Sequence, residues 1–88
     1  MWSLAIKVEQ LWLGYDGLTV QFTTIVAVLH YRSSFNGQIV AGWGRVPANI
    51  RAVVVIEDGQ YLPSSRAPEE LRLRIAAWRD AHERAAGM

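Results

Sequence analysis

The chain has no cysteine among its 88 residues, which excludes disulfide staples, thiolate metal sites and a cysteine nucleophile. It has only two histidines, and neither His30 nor His82 has a second His or a pair of carboxylates at ligand spacing, so no metal is expected. Motifs for phosphate, nucleotide or hydrolytic chemistry are missing too: there is no GxxxxGK[ST], no GxGxxG, no HExxH and no GxSxG. The expectation is a protein without cofactors that is not an enzyme. Apolar runs are short. The most apolar window, residues 18–29, carries Thr and Gln and falls well below the ~20 residues that cross a bilayer, so no membrane partner is expected. The first twelve residues, MWSLAIKVEQLW, show no basic leader followed by an apolar stretch and a cleavage site, which points to a cytoplasmic protein. Charge of one sign is also lacking. Nine basic residues face eight acidic ones for a net +1, too little for a global field toward nucleic acid.

Apolar material is abundant. Hydrophobic residues make up 51% of the chain, whereas a domain this small hides only about 60–65% of the surface its unfolded chain exposes. The surplus points to an interface with a partner protein or a second copy of the chain.

Residues 2–9 alternate apolar with small or charged side chains, placing Trp2, Leu4, Ile6 and Val8 on one strand face. Parity flips near Gln10, where a bulge would bring Leu11 and Leu13 to the apolar positions. Gly14-Tyr15-Asp16-Gly17 then supplies a turn. Residues 18–32 read as one long strand with Leu18, Val20, Phe22, Val26 and Val28 on a single face. Its second half is apolar on both faces, as in a central or interfacial strand. Asn36-Gly37 is a hairpin dipeptide, so the following GQIVAGWGRVP, residues 37–47, reads as the return strand, ended by Pro47. Residues 51–56 form a β-branched run, and Asp58-Gly59 turns it back into a short strand at 61–63. From residue 64 the pattern changes. Pro68 suits a first helical position, Glu69 and Glu70 suit the positive helix end, and Gly87 suits the stop. Leu71, Ile75, Trp78, His82 and Ala85 recur at helical spacing, with Glu70–Arg74, Arg79–Glu83 and Asp80–Arg84 as i,i+4 pairs.

The expected fold is α+β: one domain over residues 1–88, with a curved antiparallel meander of four or five strands (1–63) and one C-terminal helix (64–88) packed on a face. Four tryptophans are many for this length. With the Asn-Gly hairpin in place, Tyr31 and Arg32 would lie beside Trp43 and Arg45, with Ile39 on the same face, a grouping typical of interaction hot spots. In that strand Gly42 and Gly44 would open the opposite face to a large group, with Trp78 of the helix as the candidate. The function expected is a small non-catalytic regulatory protein, bacterial or phage in type, that docks on a partner protein and forms a homodimer. Two alternatives use overlapping residues. A single-stranded nucleic acid would stack on Trp43 and Tyr31 with Arg32, Arg45 and Arg51 on its phosphates. An enzyme would use His30 as acid or base in a pocket shared between subunits.

Overall fold

In the computed structural model, which describes residues 10–86, the parity around Trp12 is settled by burial. Leu11 and Leu13 are fully buried while Trp12 between them is exposed. Strand β1 (Gln10–Trp12) pairs antiparallel with β2 (Thr19–Gln21), Leu11 opposite Val20. The intervening turn is closed by the Leu13 N–H donating to the Leu18 carbonyl at 3.1 Å and the Leu18 N–H to the Tyr15 carbonyl at 3.0 Å. An isolated two-stranded ribbon is marginal in water. This one is held by its apolar face, where Leu11, Leu13, Leu18 and Val20 join the core. The strand expected over residues 2–9 lies outside the described residues.

The long strand expected over 18–32 is broken. A 3-10 turn at Phe22–Thr24 separates β2 from β3 (Ile25–His30), and the Thr24 hydroxyl donates to the Gln21 carbonyl at 2.8 Å inside it. The break carries the chain from one sheet to another: β1 and β2 form a two-stranded sheet, whereas β3, β4 (Ala52–Ile56) and β5 (Tyr61–Ser64) form a three-stranded one in that order. Both sheets are antiparallel, and the chain is of the α+β class. Phe22, the first residue of the break, and Ile25, just after it, are buried, and Val26, expected on the buried face, is 63% exposed. A register shift between Ile25 and Ala27 leaves Val26 as the extra residue of a bulge, which re-aims its side chain. Among the described residues β3 is an edge of its sheet, and the central strand is β4, whose Ala52, Val53 and Val54 have no exposed surface.

Alternation along β4 sends Ala52, Val54 and Ile56 to one face and Val53 and Val55 to the other. The first face meets the ribbon and the C-terminal helix around Leu11, Leu13, Phe22, Ile25, Leu62, Leu71 and Ile75. The β4–β5 turn follows the Asp-Gly signal: the Gly59 N–H donates to the Ile56 carbonyl at 2.9 Å, and Asp58 Oδ1 accepts from the Gln60 N–H at 3.1 Å.

The largest correction concerns residues 36–47. Asn36-Gly37 makes no hairpin, and GQIVAGWGRVP is not a strand. A 3-10 turn at Ser33–Phe35 leads into helix α1 (Asn36–Trp43), which ends on Gly44 at φ 97° with its N–H donating to the Val40 carbonyl at 2.7 Å. Phe35, Ile39 and Trp43 recur every four residues, the period of one helix face. Ile39 is fully buried, Phe35 lies 5.7 Å from the Tyr61 ring, and Trp43 packs against the main core. A positive-φ glycine with a proline three residues on is a helix stop as much as a strand end. Gly42 does open space for a neighbour, but the neighbour is β5 and not Trp78. A Cβ there would stand 2.9 Å from the Tyr61 carbonyl oxygen, so the missing side chain sets how closely α1 lies on β5.

Helix α2 (Pro68–Ala86) starts where its proline and two glutamates predict. It buries Leu71 and Ile75, and Trp78 stacks on Phe22 at 5.2 Å with 9° between the planes. Beyond Trp78 the stripe leaves the core: His82 is exposed and stacks on Trp78 at 4.7 Å. Of the three expected i,i+4 pairs, Asp80–Arg84 forms at 2.6 Å. Glu70 bonds Arg66 instead of Arg74, through both Nε and Nη2, and the same guanidinium donates to the Trp12 carbonyl at 2.9 Å. Beneath it the buried Ser64 hydroxyl donates to the Leu13 carbonyl at 2.8 Å and accepts from the Arg66 N–H at 3.0 Å. These bonds tie the start of α2 and the end of β5 to the ribbon.

Candidate docking surface

The residues expected to form one surface are divided by α1. Tyr31 and Arg32 precede the helix, and Trp43 and Arg45 lie at and beyond its end, so the eight-residue helix, about 12 Å long, sets them apart. The Tyr31 hydroxyl donates to Asn36 Oδ1 at 2.6 Å, which uses both side chains to anchor the entry to α1. Arg32 is exposed at the start of the 3-10 turn. Ile39 has no accessible surface, so its part is in packing.

Trp43 and Arg45 do come together. The Arg45 guanidinium carbon lies 5.1 Å from the Trp43 ring centroid, and the Tyr15 ring approaches to 5.7 Å. Tyr15 in turn donates its hydroxyl to the Ala48 carbonyl at 2.6 Å, and the Trp12 indole N–H donates to the Tyr15 carbonyl at 2.9 Å. Burial raises the Tyr15 pKa above its ordinary 10.0, the direction that keeps the phenol protonated, and a donor, into more alkaline solution. The cluster pins the 44–48 loop to the ribbon. A base stacking on Trp43 would have to displace Arg45 or Tyr15 from it. His30 is exposed at the end of β3. Among the described residues no three His, Asp or Glu side chains gather as a metal site would require, and no helix is long and apolar enough to cross a membrane.

A different surface brings apolar, charged and backbone groups together. Between β3 and α2 runs a groove of about 190 Å³ lined by residues 25–28 of the strand and by Arg72, Ile75, Ala76 and Arg79 of the helix. Its volume falls below the ~300 Å³ at which pockets for drug-sized molecules begin, which fits side chains laid along it better than an enclosed ligand. Among the described residues no carboxylate lines it. The strand wall is a sheet edge: among the described residues β3 pairs only with β4. Tyr31 donates its N–H inward to the Arg51 carbonyl at 3.2 Å, and alternation then turns the backbone groups of Val28 and His30 outward. The outward Val28 carbonyl accepts from Arg72 Nη2 at 2.9 Å. Bulge and arginine blunt the edge against indiscriminate pairing, while Val26 stands out of it.

The sequence held part of this surface in view. Its sign was the doubly apolar run 25–29, read as central or interfacial. What the run could not convey was the break at 22–24 that moves β3 to an edge, or the helix residues that face it. Compared with models of protein families, with curated proteins and with solved structures, the chain matches none.

Proposed function

We propose that the chain is a small non-catalytic docking protein and that its docking surface is the groove between β3 and α2. The observation that carries this reading is a strand edge that no other described strand pairs with, beside a 63%-exposed valine at its bulge: outward backbone groups, of which the Val28 carbonyl is held by Arg72, supply directional bonds and the apolar side chain supplies burial, the two requirements of strand addition. Homodimer formation belongs to this reading as the case in which the docking partner is a second copy. The setting expected from the sequence is the cytoplasm, for a small regulatory protein of bacterial or phage type.

The test is site-selective photo-crosslinking in the native host, with a benzophenone side chain at Val26 in the groove or at Gln60 in the exposed β4–β5 turn. The reading expects a discrete protein adduct from position 26 and none from position 60. Absence of an adduct at 26, or the same adducts from both positions, would remove it.

A further inference from the structure

We infer that the occupant of the β3–α2 groove is an extended, acidic segment of a partner protein that adds to β3 as an antiparallel strand and draws Arg72 off the Val28 carbonyl. This rests on the docking reading above and deepens it by naming the chemistry of the occupant. The charge of the groove selects the class. Among the described residues its ionised lining groups are Arg72 and Arg79, both on the helix wall, and the other lining side chains, Ile25, Val26, Ala27, Val28, Ile75 and Ala76, are apolar. They stand seven residues apart on α2, two turns or about 10 Å of axis. Carboxylates at i and i+4 of an extended chain are about 13 Å apart and on one face, and side-chain reach covers the difference.

Arg72 has a further part. Its bond to Val28 at 2.9 Å satisfies an edge carbonyl that a bare sheet edge would offer to any strand. An incoming segment provides both replacements at once, an N–H for the Val28 carbonyl and a carboxylate for the guanidinium. A segment without the carboxylate would strand the arginine or compete with it. The groove therefore discriminates by charge as well as by shape. A second copy of β3 is a poor occupant by the same argument, because IVAVLH carries no carboxylate to meet Arg72 or Arg79.

The test uses the full chain and two blocked nine-residue peptides, one alternating valine with glutamate and one alternating valine with lysine. Binding is followed by fluorescence anisotropy, and the site is located by backbone amide shifts. The glutamate peptide should bind the wild type roughly three- to tenfold more tightly than the lysine peptide, the range two partly exposed charge pairs supply, with shifts centred on Val26, Val28 and His30. The double variant Arg72→Glu, Arg79→Glu should reverse the preference. Arg74→Glu, on the same helix but outside the groove lining, should leave it unchanged and controls for half of the change in net charge. Equal binding of both peptides, a preference that survives the reversal, shifts centred away from β3, or a chain already dimeric through β3 would each overturn the acidic-strand assignment. An adduct at Val26 in the crosslinking experiment together with no charge preference here would keep the docking reading and discard only the occupant.

Discussion

Replacing Gly42 tests how α1 is seated, because two opposing effects of known size meet at one position. An alanine in a helix interior is favoured over glycine by about 1 kcal/mol. At Gly42 the added Cβ would lie 2.9 Å from the Tyr61 carbonyl oxygen and 3.3 Å from its nitrogen, where ordinary contact begins at 3.4 Å. Both atoms are backbone of a paired strand, so relief requires α1 to withdraw from β5, loosening Ile39 and Phe35 with it. Forcing such a contact costs about 1–3 kcal/mol. Gly37→Ala is the matched control: nothing lies within 4 Å of its added Cβ, so helix propensity acts alone. The two alanine variants should therefore differ by about 1–3 kcal/mol, Gly37→Ala being the more stable. In thermal unfolding that is a separation of at least about 4 °C for a domain of this size, and Gly42→Val should fall lower still. If Gly42→Ala raises Tm as much as Gly37→Ala, the close approach of α1 to β5 is wrong.

Ser64→Ala should lower stability by about 0.5–1.5 kcal/mol in urea unfolding, because it removes the buried hydroxyl that joins the Leu13 carbonyl to the Arg66 N–H while that carbonyl keeps its bond from the Ser65 N–H. Phe22→Ala should cost about 3–5 kcal/mol, the range for deleting a buried ring, and should shift Trp78 emission, since the two rings are stacked. The Glu70 carboxyl is held below its ordinary value of 4.5 by its hydrogen bond to Arg66. The stability it contributes is thus complete above the unfolded pKa and is lost as pH falls through the depressed folded value. Glu70→Gln should flatten that part of the acid-unfolding curve and leave its neutral limb unchanged in slope. Leu73→Ser should change stability by less than about 0.5 kcal/mol, since the side chain is 72% exposed.

What the sequence conveyed well was local and repetitive. The Leu11/Leu13 parity, the 14–17 turn, the β-branched run of β4 with its Asp-Gly turn, and the Pro-Glu-Glu start of α2 all follow from residues within a few positions of one another, and each stands in the structure. The failures have one physical source. At 36–44 a hairpin dipeptide and a strand-like alternation competed with a Phe35–Ile39–Trp43 stripe and a Gly44 stop, and the helix won because β5 offers a backbone surface that only a glycine-bearing helix approaches closely. That surface, at Tyr61, is nineteen residues from Gly42 in sequence. Likewise nothing local to residues 22–24 shows that two sheets must be joined there. The surface expected from Tyr31, Arg32, Trp43, Arg45 and Ile39 depended on the missing hairpin and dispersed with it, leaving Arg45 on Trp43 and Tyr31 on Asn36.

The docking account depends most directly on the edge of β3 being open in the isolated chain and covered in the complex. Amide hydrogen exchange resolved by residue measures both. In the full chain alone, the outward N–H groups of Val28 and His30 should exchange readily while the inward ones of Leu29 and Tyr31 are protected. When the partner identified through Val26 is added, Val28 and His30 should become as slow as their neighbours. Protection of Val28 and His30 in the isolated chain, or a partner that slows amides elsewhere and leaves β3 unchanged, would contradict the account.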